Sequence, residues 1–349
     1  MRVITYENVH NRFKLNGYKM NRFDLCIIAN SLIKEGAEFE IAAGKFILDW
    51  FDSKTHINLK TSGTTSEPKI IQISKQAMVN SALATGDFFE LKPGDKALLC
   101  LSTNYIAGKM MLVRSIILGL EIDVISPSSF PLLNNNKWYD FVAMVPLQVQ
   151  NSISELKNVN KIIVGGAKMN KSLENKLSDV SSKVYETYGM TETITHIAAK
   201  KVGEEAFSLL PNIQISQNDK NCLVINAPNI SLEPIITNDL VEIINDNQFL
   251  FLGRIDNLVN SGGVKLIPEQ IEEKLSTKIQ SRFFVAGIPD DELGEKLVLI
   301  IEGENDTLEK TVFEVLDKYE KPKEVFFVSK FIETENGKIK RKEVLASIL

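Results

Sequence analysis

Apolar positions along the chain fall into alternating helical and extended periods. Phe39, Ala43, Phe46 and Trp50 recur at helical spacing, widened by Ile47 and Phe51, and predict the one clear element of residues 1–60. Strand-like Ile57 to Leu59 and the β-branched run Ile70 to Ile73 flank a polar stretch. Ser74 can cap a helix running to about Phe89, and Lys92-Pro93-Gly94-Asp95 is a turn. Ala97 to Leu101 reads as a buried strand, a helix over about Lys109 to Leu118 stops at Gly119, and Ile122 to Ile125 is the next strand. Two coarser repeats follow: Phe141 to Val145, a helix between Gln148 and Leu156, Ile162 to Val164, a helix marked by Leu173 and Leu177, then Val184 and Tyr185.

Strands alternating with helices predict an α/β fold: a large N-terminal domain, residues 1–254, with a mostly parallel, helix-covered sheet and ligands at the carboxyl ends of its strands. From Phe207 to Phe251, short strands between Asn, Asp and Pro turns suggest a small β-rich subdomain. Residues 255–349 read as a small α+β C-terminal domain. It has a hairpin at Gly262-Gly263, helices from Pro268 and Thr307, and strands at Phe283 to Val285, Leu297 to Ile301 and Val325 to Val328.

Charge narrows the partners. Forty basic against forty-five acidic side chains give a net charge of −5, so nucleic acid and anionic membranes are not expected partners, and any phosphate site must be local. Cys26, Cys100 and Cys222 form neither a disulfide framework nor a metal cluster and read as buried thiols. No signal core or membrane-length apolar run is visible, which makes the cytoplasm the expected location, without integral membrane contact.

Candidate chemistry begins at Thr61-Ser62-Gly63-Thr64-Thr65-Ser66-Glu67-Pro68-Lys69. Its backbone N–H groups and hydroxyls can wrap a polyphosphate while Lys69 offsets the charge; the alternative is an ordinary polar hairpin turn. Gly165-Gly166-Ala167 follows a strand and lets a flat ring approach the backbone. Tyr188-Gly189-Met190-Thr191-Glu192 offers an aromatic face, a hydroxyl and a carboxylate suited to Mg²⁺, although a core Tyr beside a helix start would look the same. Asp239 could accept hydrogen bonds from a ribose diol or be a turn residue. Gly253-Arg254-Ile255-Asp256 sits at the domain boundary, and Asn336-Gly337-Lys338 presents a lysine at a turn.

In this order the segments resemble the adenylate-forming superfamily of acyl-CoA synthetases, luciferases and adenylation domains, over residues 61–349. Within it the short chain is most similar to o-succinylbenzoate–CoA ligases of menaquinone biosynthesis, a likeness of length and texture. The resemblance implies ATP, Mg²⁺ and coenzyme A acting on a small carboxylic acid in two half-reactions. It implies that Thr61, Ser62, Gly63, Thr64, Thr65 and Lys69 hold the β/γ-phosphates, Thr191 the α-phosphate and Glu192 the metal. Asp239 and Arg254 would hold the ribose, with Gly165, Gly166, Ala167, Tyr188 and Gly189 around the adenine. Lys338 would bridge carboxylate and phosphate, Asp256 would be the hinge of a mobile lid, and Gly262 and Gly263 would line the thiol's approach. Tyr105, Arg114 and His196 are candidates for the acyl pocket.

Departures from the pattern are Ser66 for a usual Gly, Tyr105 for a His or aromatic residue, Asn238 for a Gly, and a short segment before the phosphate loop. Another aryl- or acyl-CoA synthetase, a carrier-protein-loading adenylation enzyme and a non-catalytic nucleotide-binding module are the alternatives, and a homodimer is an open expectation.

Overall fold

The computed structural model describes residues 3–60, 70–303, 308–333 and 339–348; the expectations for Thr61 to Lys69 and for Lys338 lie outside these described residues. The chain opens with a two-residue strand pair, β1 (Lys14–Leu15) and β2 (Tyr18–Lys19), followed by α1 (Arg22–Glu35) and α2 (Glu38–Phe51). The predicted stripe of α2 is buried through Ala43, Phe46, Ile47, Trp50 and Phe51, with Trp50 tilted against Phe46 at 6.0 Å. The pattern did not reveal α1, because it buries only Leu25 and Ala29. Its start is fixed instead by a capping box, in which Asn21 accepts from the Phe23 and Asp24 amides and Asp24 accepts from the Asn21 amide.

A hairpin of β3 (His56–Lys60) and β4 (Ile70–Ser74) pairs from His56↔Ser74 to Lys60↔Ile70, so residues 61–69 join two antiparallel strands. Ser74 then caps α3 (Lys75–Phe88) by accepting from the Ala77 amide. Next come β5 (Lys96–Leu99), α4 (Ile106–Leu118), β6 (Glu121–Val124), β7 (Tyr139–Met144), α5 (Pro146–Asn151), β8 (Val159–Val164), α6 (Lys171–Leu177) and β9 (Lys183–Gly189). Strands β1, β6, β5, β7, β8 and β9 lie side by side and parallel. Alternation sends Ala97, Leu99, Phe141, Ala143 and Ile163 into one core with α2, α3 and α4, and Leu98, Val142, Met144, Ile162 and Val164 into another with α6. The sheet is therefore covered on both faces, as the alternation of elements predicts.

Beyond β9 the pairing turns antiparallel through β10 (His196–Lys201), β11 (Phe207–Leu209), β12 (Gln214–Gln217), β13 (Cys222–Asn226), β14 (Ile235–Asn245) and β15 (Gln248–Arg254), in the order β9-β10-β11-β15-β14-β13-β12. The β-rich stretch thus continues the main sheet, which reaches 13 strands among the described residues, while keeping its own core of Ile197, Phe207, Leu223, Ile225, Val241 and Phe249.

The C-terminal unit contains β16 (Val259–Ser261), β17 (Val264–Leu266), α7 (Pro268–Leu275), β18 (Phe283–Asp290), β19 (Gly294–Glu302), β20 (Glu324–Val328) and α8 (Arg341–Ala346). Val285, Leu297 and Leu299 face one core of this sheet, and Phe284, Val298 and Ile300 the other. The helix expected from Thr307 is a short 3₁₀ turn over Lys310–Val315, where β-branched Thr311, Val312 and Val315 disfavour a regular α-helix. Cys100 and Cys222 are buried and Cys26 is half-buried, and all three are free thiols. No helix among the described residues is long and apolar enough to cross a membrane.

Gly119 ends α4 in the left-handed region at φ 77°, and a Cβ there would lie 2.2 Å from His10 Nδ1. Gly119→Ala is expected to destabilise the protein by at least about 1 kcal/mol, from the left-handed backbone alone, measured as a lower midpoint in urea.

Candidate functional site

The carboxyl ends of β5, β7, β8 and β9 open on one edge of the parallel sheet. Gly165 follows β8, donating its N–H to the Met144 carbonyl at 3.1 Å, and Thr187 of β9 donates to the Val164 carbonyl at 3.0 Å. Gly166 takes φ 87°, and Gly166 and Ala167 are exposed. Adjacent β9 supplies Tyr188 and Gly189. Gly189 pairs with His196 so closely that a Cβ would lie 2.3 Å from the Thr195 carbonyl oxygen, so only glycine closes this turn.

Tyr188 makes the decisive connection. Its ring meets Phe249 edge-on at 5.2 Å and tilts against Phe207 and Phe251, and its hydroxyl donates to Asp239 Oδ2 at 2.5 Å. Along the sheet, β14 is four strands from β9, a flat path of about 19 Å at the usual strand spacing. A single tyrosine bridges that path only because the antiparallel strands curl back over the carboxyl end of β9. Asp239 and Arg254 face each other across β14 and β15, with Arg254 Nη1 on Asp239 Oδ1 at 3.1 Å and Nη2 on Asp256 Oδ2 at 2.8 Å. Asn238 donates to both Asp256 oxygens at 3.2 Å. Burial holds the Asp239 carboxyl above its ordinary range, against the Tyr188 and Arg254 bonds, and raises the Tyr188 hydroxyl, whereas the Arg254 hydrogen bond lowers Asp256.

Between Gly189 and His196 the chain forms a compact turn. The Met190 amide donates to Thr193 Oγ1 at 2.9 Å, the Ile194 amide to the Thr191 carbonyl at 2.9 Å, and buried Ile194 sits at φ 68°. A β-branched residue in that region stores strain of order 1–3 kcal/mol. The turn leaves Glu192 exposed and Thr191 half-exposed, and Glu192 forms no ion pair with any described residue. No group of three His, Cys, Asp or Glu residues that could hold a metal occurs among the described residues. The lone exposed carboxylate suits Mg²⁺, which takes one or two protein carboxylates and completes its shell with phosphate oxygens and water.

The acyl-pocket candidates separate. Tyr105 precedes α4 beyond β5, three strands from β9, and is 39% exposed. Arg114 on α4 and His196 at the start of β10, the other two candidates, are 1% and 5% exposed. Arg114 Nη2 donates to Thr195 Oγ1 at 2.9 Å and Nε to Thr85 Oγ1 at 3.4 Å; the His196 nitrogens lie 3.3 Å from Thr85 Oγ1 and 3.2 Å from Thr195 Oγ1. Burial lowers the Arg114 pKa to about 9, still charged at neutrality, and burial and Arg114 hold His196 well below the ordinary imidazole range. Gly262 and Gly263, both at positive φ, form the turn between β16 and β17 in the C-terminal unit.

Sequence reasoning missed Thr85, Thr187, Thr195 and Glu269. Glu269 in the first turn of α7 accepts from Asn257 Nδ2 and approaches Gly253, and Lys168 after β8 pairs with Glu273 at 3.0 Å, so α7 rests on the large sheet beside Arg254. The run Thr191, Thr193, Thr195, His196 carried a signal in its alternating hydroxyls, but Thr85 carried none.

Comparison with known proteins places this geometry. The profile of the family described as AMP-binding enzyme matches residues 59–216. A solved structure from Dyadobacter fermentans DSM 18053, described as an acyl-CoA synthetase (AMP-forming)/AMP-acid ligase II-like protein, is 34% identical, with 93% of this chain and 98% of that one covered at a TM-score of 0.62. The chain belongs to the AMP-binding enzyme family and is an AMP-forming acid–thiol ligase. The 2-succinylbenzoate–CoA ligase of Lactococcus lactis is 24% identical over 327 residues, covering 85% of this chain and 72% of that protein. The fold is also that of the o-succinylbenzoate coenzyme A synthetase of Bacillus subtilis in complex with ATP and magnesium ion, at 19% identity, TM-score 0.74, and 82% and 69% coverage.

His196 supplies a pH dependence. Unfolded, it takes up a proton below about pH 6.5; folded, it resists doing so, so the unfolded state binds more protons and stability falls as pH drops. The wild type should lose up to about 1.4 kcal/mol per pH unit below 6.5 relative to His196→Gln, measured as the difference between their denaturation free energies from pH 7 to 5.

Proposed function

We propose that the protein joins a small carboxylic acid to coenzyme A at the expense of ATP, and that the acid is o-succinylbenzoate, placing it in menaquinone biosynthesis. The observation that carries the ligase reading is the convergence of Tyr188, Asp239 and Arg254 beside the turn presenting Thr191 and Glu192. The choice of acid is supported by the 2-succinylbenzoate–CoA ligases among its relatives.

In the first half-reaction a carboxylate oxygen attacks the α-phosphorus of ATP and pyrophosphate leaves, giving an acyl-adenylate. Asp239 and Arg254 hold the ribose, and Gly165, Gly166, Ala167, Tyr188 and Gly189 border the adenine. Thr191 reaches the α-phosphate, and Thr61, Ser62, Gly63, Thr64, Thr65 and Lys69 cradle the departing β/γ-phosphates. Mg²⁺, held by Glu192 and phosphate oxygens, would neutralise charge as two anions meet. Lys338 would bridge the same two anions and stabilise the developing charge. In the second half-reaction the coenzyme A sulfur attacks the activated carbonyl and AMP leaves. Lys338 must then withdraw, which the C-terminal unit achieves by turning at Asp256 to bring Gly262 and Gly263 toward the thiol. That turn must break or carry along the bonds of Asp256 to Arg254 and Asn238.

Pyrophosphate release measured over o-succinylbenzoate, benzoates and fatty acids, with and without coenzyme A, is expected to favour o-succinylbenzoate; preference for another acid rejects the substrate and keeps the ligase. Lys338→Ala should lower adenylate formation by about 100-fold or more while sparing thioester formation from preformed adenylate. Asp256→Pro should show the opposite split, and equal losses in both steps would remove either residue from its proposed role.

A further inference from the structure

Two glutamates one helical turn apart, Glu269 and Glu273, share the face of α7 that rests on the large sheet, and their surroundings there are opposite. Glu273 meets cations. Its carboxylate lies 3.0 Å from Lys168 Nζ, and against the effect of burial the charges of Lys168, Lys200 and Lys171, all on the large domain, hold its pKa below the ordinary range. Glu269 meets none. It is 9% exposed, accepts at Oε1 from Asn257 Nδ2, and keeps Oε2 buried with neither a hydrogen-bond partner nor an ion pair among the described residues. That oxygen abuts Gly253 at the end of β15, where a Cβ would come within 2.5 Å of it, so the seat exists only because position 253 has no side chain. Asp239 is close by: burial raises that carboxyl first, and the Glu269 charge raises it further.

A buried carboxylate with an orphaned oxygen and a like charge for a neighbour opposes the contact that buries it, and the N-terminus of α7 recovers only part of that cost. Moving α7 off the large sheet returns Glu269 to water and separates Glu273 from its lysines, so one displacement relieves the first residue and costs the second. We propose that Glu269 and Glu273 are positioning residues of opposite effect for the C-terminal unit: Glu273 clamps α7 onto the large sheet, Glu269 works against that contact, and together they set how readily the unit leaves the orientation seen here. The bearing on catalysis rests on the reading in which the unit turns at Asp256 between the half-reactions. There a clamp with nothing working against it would hold the enzyme in one half-reaction.

Glu269→Gln and Glu273→Gln make the same isosteric change one turn apart. Docked and released populations would be counted by single-molecule energy transfer between dyes on Lys92→Cys and Lys321→Cys, both exposed positions, in a Cys26→Ser background. Glu273→Gln should lower the docked-to-released ratio about two- to threefold, the scale of an exposed ion pair, and Glu269→Gln should raise it about threefold or more. Lys168→Glu should recover most of the ratio lost in Glu273→Lys, which a merely structural role would not do. In the two glutamine variants the rate of adenylate formation divided by that of thioester formation from preformed adenylate should move in opposite directions. Populations that move the same way in both glutamine variants, that do not move, or that the charge exchange fails to recover overturn the proposal. Populations that split as expected while the rate ratio stays fixed uphold the two positioning roles and reject the turn at Asp256 as the step between half-reactions.

Discussion

The hydrogen bond from Tyr188 to Asp239 closes a curl in the sheet, and the candidate site depends on that closure. Parallel strands bring Gly165 and Tyr188 together through ordinary neighbouring. Asp239 and Arg254 belong to strands well along the antiparallel extension and arrive only because that extension folds back. The aromatic group of Tyr188, Phe207, Phe249 and Phe251 supplies the apolar contact that makes the curl favourable, and the buried carboxylate of Asp239 gives it direction. Arg254 then ties the end of the large sheet to Asp256, where the chain leaves it.

Much of this was legible because the relevant signals are local. The stripe on α2, the Ser74 cap and the Gly119 stop are each written within a few residues, and each stands where it was read. The alternation of strands and helices predicted a sheet with two covered faces, and Leu98 and Leu99 do point into different cores. What stayed hidden is long-range. α1 shows no stripe because it is only lightly buried, and the continuation of the main sheet through β10 to β15 cannot be seen in a pattern of short strands. Thr85 meets His196 across 111 positions of sequence, with nothing local to announce it.

Arg114 and His196, candidates for the acyl pocket, are buried among threonine hydroxyls in this structure. Both are polar, near the proposed acyl region in sequence, and of a kind that meets carboxylates. The structure turns them inward, where the same hydrogen-bonding capacity organises threonine hydroxyls. Polarity in a sequence identifies a need for partners and leaves open whether these are solutes or neighbours.

The cysteines bear on the setting in which a thiol-handling ligase would work. Any pool of coenzyme A includes its disulfides, and a protein thiolate in contact with them becomes capped by exchange. Burial raises the Cys100 thiol to about 12, its hydrogen pointing at the Ala143 carbonyl, and burial also raises Cys222. Exchange needs an accessible thiolate, and neither sulfur offers one. Two of the three cysteines are therefore inert toward the oxidised form of the proposed co-substrate, so a fall in cellular reducing power would leave the core of the large sheet chemically untouched.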